Sequence, residues 1–144
     1  MRELKFRGKC KEKDGWIYGS YVKSLSGSFI AVWDDFYDGY MFPVDPKSVG
    51  QAIDLFDAEG KEVYEGDIIE TSEISKCCGI TIRQETEIVA FKWQGFYRFS
   101  IYDADFEQPT GFANIKNEHC RVVGNVFDDP DMVKFLEDKL ESTL

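Results

Sequence analysis

The sequence has a single histidine, and no apolar run approaches the ~18 residues of a membrane-spanning helix. The opening residues MRELKFRGKCKEK lack the apolar core of a secretory signal. The expected setting is therefore the cytoplasm, with no membrane partner, where four cysteines read as reduced thiols rather than two disulfides. A Gly-x-Ser-x-Gly elbow and a phosphate-cradling Gly-rich loop are also missing, so neither an α/β-hydrolase nucleophile nor a nucleotide loop is expected. No repeat and no low-complexity segment interrupts the chain.

What remains is a chain of 144 residues, 43% hydrophobic and 15% aromatic, enough to build a core without staples. The expectation is one domain over residues 1–144, with an N-terminal β lobe over about 1–50 and a barrel-like part over about 60–128. The net charge of −10 is unevenly spread: residues 1–25 carry +4 and residues 26–75 carry −10. An acidic surface repels phosphate backbones, which disfavours generic nucleic-acid binding.

Short β-prone runs recur between turn signals. LKFRG (4–8), WIYGSYV (16–22), FIAVW (29–33), DIIET (67–71) and CRVVGNVF (120–127) all read as strands, the last interrupted by Gly124 in the manner of a bulge. ITIRQETEIVAFKW (80–93) alternates through Ile80, Ile82, Ile88 and Ala90, and FYRFSIY (96–102) returns as the second arm of a hairpin. DDFYDGYMFPVDP reads as a loop with Asp38-Gly39 as its turn, because Pro43 and Pro46 lack amide donors. A helix is expected over 130–141: Asp129 suits the N-cap, Pro130 the first turn, and Met132, Phe135, Leu136 and Leu140 form one apolar stripe. The fold class is mainly β, or β-dominated α+β: a small partly open barrel or strongly bent antiparallel sheet with a C-terminal helix.

Candidate chemistry is sparse. Cys77-Cys78 and His119-Cys120 are pairs of metal-ligating types, but adjacent side chains diverge, and zinc ligands usually stand about two to four residues apart. A Cys/His dyad would have to span the fold and lacks an orienting third group. Asp34-Asp35, Asp103 with Asp105, and Asp128-Asp129 lie beside turn residues, where Asp bonds its own backbone. No catalytic residue, metal or cofactor is expected. In GKEVYEGDII, the residues Tyr64, Glu65, Gly66 and Asp67 read as a structural corner: Gly66 permits a positive φ, and Asp67 can close an Asx-type turn before Ile68 and Ile69.

Three blocks, RELKFRGK, VDPKSVGQ through GKEVYEGDII, and CRVVGNVFDDPDMV, resemble the YopX family of phage and prophage proteins in order and spacing, with IVAFKW and FYRF at the place of its central hairpin. Between Gly50 and Gly60 this chain reads QAIDLFDAE, where the family typically has a Tyr-Thr-Gly turn and a Lys-rich loop. The resemblance implies a β-rich accessory protein of a bacterial host cell and assigns no activity, cofactor or catalytic residue.

The function expected is a non-catalytic one exercised through contacts with a host or phage protein, or through self-assembly as a homo-oligomer. Phe36, Tyr37, Tyr40 and Phe42, in an acidic loop, are the candidate contact residues. The alternative is a small-barrel nucleic-acid-binding module. It would stack bases on Trp93, Phe96 and Tyr97 and hold phosphates with Arg2, Lys5, Arg7, Lys9, Lys11 and Lys13.

Overall fold

In a computed structural model, the protein is described over residues 4–75, 77–92, 95–100, 117–129 and residue 131. It is mostly β, built of antiparallel sheets, and divides into two compact units, Met1–Ala52 and Ile53–Leu144.

The first unit is a meander. β1 (Phe6–Lys9), β2 (Trp16–Ser24), β3 (Gly27–Trp33) and β4 (Asp38–Pro43) lie in the order β4-β3-β2-β1, and the first residues of β5 (Gly50–Phe56) pair with β1. The register sets Tyr21 opposite Ile30 and Ile30 opposite Phe42. With period-two alternation this brings Ile17, Ile30, Phe42 and Val44 to one face, where they form a buried cluster joined by Phe6, Tyr21 and Tyr37. The stretch expected to be a loop around Asp38-Gly39 is instead strand β4. The turn sits earlier, at residues 34–37, and Pro43 is tolerated because β4 is an edge strand and Pro43 its last residue. Gly39 keeps its positive φ of 80° inside the strand, opposite a register shift between Val32 and Trp33.

In the second unit the rest of β5 is followed by β6 (Glu62–Tyr64). A four-stranded sheet then follows in the order β10-β7-β8-β9, from β7 (Asp67–Ile74), β8 (Thr81–Lys92), β9 (Gly95–Ser100) and β10 (Cys120–Asn125). Val63, Ile69, Val89 and Cys120 form its buried cluster, with Ile53, Leu55 and Val122 packed against it. Ile68, Ile88 and Ala90 point the other way and are buried too. The middle of the sheet is thus covered on both faces, which is why DIIE does not alternate. Ile80, read as the first residue of the β8 alternation, lies outside the strand and is exposed. The register of β10 on β7 shifts between Val122 and Gly124, a bulge at the glycine.

Among the described residues neither sheet closes into a barrel: β9 and β10 are the two edges of the four-stranded one. The helix expected over 130–141 lies, apart from Asp131, outside the described residues.

Candidate functional site

The interior of the second unit holds more charge than its strands announced, and each charged group has a structural partner. Asp57 is 3% exposed. Its Oδ1 accepts hydrogen bonds from the N–H groups of Glu59 (2.9 Å) and Lys61 (2.8 Å), and its Oδ2 accepts one from Val122 N–H (3.0 Å). It therefore folds the DAEGK turn and fastens it to β10, and the Ala58 N–H donates to the Cys120 carbonyl in the same place. Burial pushes the Asp57 carboxyl up, but the three N–H donors and the Lys61 charge together hold it below its ordinary value.

Glu87 on β8 is also buried. Its Oε1 accepts the Thr71 hydroxyl from β7 and an Arg98 guanidinium nitrogen from β9 at 3.0 Å. This triad stitches three neighbouring strands across one face. Cys120, on β10 opposite Thr71, is sealed in apolar surroundings. Burial, reinforced by the Asp57 charge, pushes its thiol up to about 11.

The YEGD segment is the connection from β6 to β7. Gly66 has φ 91°, its N–H donates to Val89 O (2.8 Å), and its carbonyl accepts from Val126 N–H (2.9 Å). Asp67 is 1% exposed and its Oδ2 accepts the Tyr64 N–H at 2.7 Å, so the carboxylate reaches back across the corner and not forward into the strand. Tyr64 and Ile68 are both buried.

Cys77 and Cys78 are exposed in the β7–β8 turn, whereas Cys120 is buried and His119 is half-buried beside Glu118 at 3.5 Å. Among the described residues no three His, Cys, Asp or Glu side chains gather as a metal site.

The four aromatics of the acidic stretch separate by role. Phe42 belongs to the core, which removes it from the contact residues. Tyr37 packs edge-on against it at 5.1 Å, and Tyr40 does the same at 4.6 Å while staying half-exposed. Phe36 is 92% exposed. The turn that presents it is fixed by Asp34, whose Oδ1 accepts the N–H groups of Phe36 and Tyr37, each at 2.8 Å, and whose own N–H donates to Tyr37 O (2.9 Å).

Trp33, unmarked by the sequence because it ends an apolar run, is also exposed. It lies against the backbone of Gly39, where a β-carbon would come within 2.6 Å of the indole. The β3–β4 tip thus displays Trp33, Phe36 and Tyr40 to solvent, with the exposed carboxylates of Asp35 and Asp38 in the same stretch.

The residues of the nucleic-acid alternative belong to two different units, the basic ones to the first and the aromatics to the second. Trp93 and Arg2 lie outside the described residues. Phe96 pairs edge-on with Phe91 at 5.1 Å, and Tyr97, the next residue on β9, is opposite Ala90. Arg7 is buried, its guanidinium 4.5 Å from the centre of the Trp16 ring, so it cannot serve a phosphate strip. Lys13 lies over the Phe42 ring at 4.8 Å.

A two-unit, mainly β protein whose buried acids bind its own turns, with an ordered aromatic tip, is the class that the geometry defines. The YopX protein family model matches residues 5–134, and the chain belongs to that family. A crystal structure of protein EF1440 from Enterococcus faecalis is similar over 91% of this chain and 98% of that one, at 16% identity and a TM-score of 0.49. No curated protein matches the chain. Among the described residues, no helix is long and apolar enough to cross a membrane.

Proposed function

We propose that this chain is a non-catalytic accessory protein of phage or prophage origin that acts through protein contacts in the cytoplasm of a bacterial host cell, and that the β3–β4 tip is its contact surface. The observation that carries the reading is Phe36, 92% exposed on a turn that Asp34 holds in one conformation. A large apolar ring kept in water by an ordered turn gains nothing for folding, whereas a pre-ordered aromatic anchor loses little entropy when a partner buries it. Trp33 and Tyr40 are also exposed on the strands that flank the turn, and Asp35 and Asp38 are exposed carboxylates beside it.

The partner surface that fits is an apolar cleft bordered by Lys or Arg. Two copies meeting tip to tip would oppose like charges, which favours a different protein over self-assembly. A photo-crosslinking amino acid at position 36, in cells of the host, should give a discrete protein adduct. The same group at Leu25, exposed on the β2–β3 turn, should not. No adduct at 36, or the same products from both positions, would count against the reading.

A further inference from the structure

We propose that the rings of Tyr37 and Phe42 form a cation seat, held in this structure by the chain's own Lys13 and taken over by an arginine side chain of the partner protein. The inference rests on the reading of the β3–β4 tip as the contact surface, and it names the chemical group that this surface receives.

Two neighbouring segments build the seat. Tyr37, at the end of the Asp34 turn, meets Phe42 edge-on at 5.1 Å and 80°, and Tyr40 meets these two rings at 6.0 Å and 4.6 Å. The β1–β2 loop is held beside them. Cys10 N–H donates to Gly15 O (3.1 Å), which closes the loop, and Lys11 N–H donates to Pro43 O (2.9 Å), which fastens it to the end of β4. The Lys13 ammonium then lies 4.8 Å from the centre of the Phe42 ring and 5.9 Å from that of Tyr37, both within cation–π range.

The rings attract a cation, and Lys13 is not the cation that suits them best. Glu12 and Asp14 flank Lys13 and are exposed, yet the contacts that the structure gives its ammonium are ring faces, where the negative part of each ring quadrupole lies. Lys13 is itself exposed, and an ammonium is strongly hydrated, so it leaves the rings for water at little cost. A guanidinium is planar, weakly hydrated and stacks on aromatic faces, so an arginine gains more on the same rings than Lys13 loses. Phe42 packs with Ile30 and Val44 on its core side, and its other face opens to a partner only when Lys13 swings away. Lys13 is thus a stand-in that keeps the seat covered until the arginine arrives.

The test uses the full-length protein with isotope-labelled tyrosine and phenylalanine rings, titrated with Nα-acetylarginine amide and followed by NMR. The Tyr37 and Phe42 signals should move saturably. The citrulline analogue, which has the same shape without the charge, should leave them in place, and Nα-acetyllysine amide should bind several-fold more weakly. Lys13→Ala should tighten arginine binding several-fold, because the internal competitor is gone. Tyr37→Leu should weaken it several-fold with the circular dichroism spectrum unchanged; if the spectrum changes, Lys13→Ala decides. An adduct at position 36 without arginine binding overturns the seat alone, whereas arginine binding without an adduct supports the seat and counts only against the contact surface. Rings that do not respond, that respond equally to the citrulline or lysine compound, or whose arginine affinity Lys13→Ala leaves unchanged, would overturn the proposal.

Discussion

Asp57 and Asp67 are buried for one reason: each supplies an acceptor to backbone N–H groups that turn away from the ladder. Asp67→Ala leaves the Tyr64 N–H without that acceptor in a buried corner. The expected loss is about 1–3 kcal/mol, read as a lower urea midpoint. Gly66→Ala puts an ordinary residue at φ 91° and should cost about 1–2 kcal/mol in the same assay. An unchanged midpoint in both variants would mean that the corner is dispensable.

Asp57 adds a pH signature. Its folded-state carboxyl titrates below the ordinary 3.8, so its contribution is complete above that pH and disappears as pH falls through the depressed folded-state value. Asp57→Asn offers one acceptor oxygen where two are used, and should cost about 1–3 kcal/mol at pH 7. Wild type and variant should then converge as the solution is acidified below 3.8, in urea titrations at stepped pH. A gap that stays constant would show that the charge of Asp57 contributes nothing.

At the scale of elements, the Thr71–Glu87–Arg98 triad ties β7, β8 and β9 together at the point where the apolar cluster gives way to charge. Arg98→Met strands a buried carboxylate and should cost about 3–5 kcal/mol. Adding Glu87→Leu removes that carboxylate and should recover most of the loss, so a thermal-melt double-mutant cycle should show a large coupling. Additive losses would mean that the two side chains act independently.

The strands themselves were legible because aromatic and β-branched runs stood between turn signals, and the YEGD corner because Gly and Asp declare their backbone needs. The triad was not legible. Glu87 and Arg98 look like the polar half of an amphipathic hairpin, and only the pairing of Val89 with Arg98 across β8 and β9 brings them within reach. β4 was misread because Asp38-Gly39 is a strong turn signal when met alone. The Asp34 carboxylate, by taking two N–H groups, places the turn four residues earlier, and the packing of Trp33 on Gly39 lets the glycine sit in a strand.

At the scale of the whole molecule, the contact surface proposed above, on a chain of net charge −10, predicts an encounter that weakens with salt, because exposed charges are screened within about 8 Å at physiological ionic strength. The apolar anchors should instead set how long the complex lasts. The two contributions separate by mutation. Phe36→Ser removes a side chain that is 92% exposed, so the melting temperature should barely change, with stability within about 0.5 kcal/mol of wild type. A crosslinker placed at Tyr40 in that variant should nevertheless lose most of its adduct, since a central aromatic anchor is commonly worth about 2 kcal/mol or more. Asp35→Asn with Asp38→Asn should keep the adduct at high salt and lose the salt dependence of its formation. The two residues lie outside the Asp34 hydrogen bonds that hold the turn, so the fold is left alone. If Phe36→Ser destabilised the protein as much as it reduced crosslinking, the ring would belong to the fold after all, and the tip would be a structural cap instead of a contact surface.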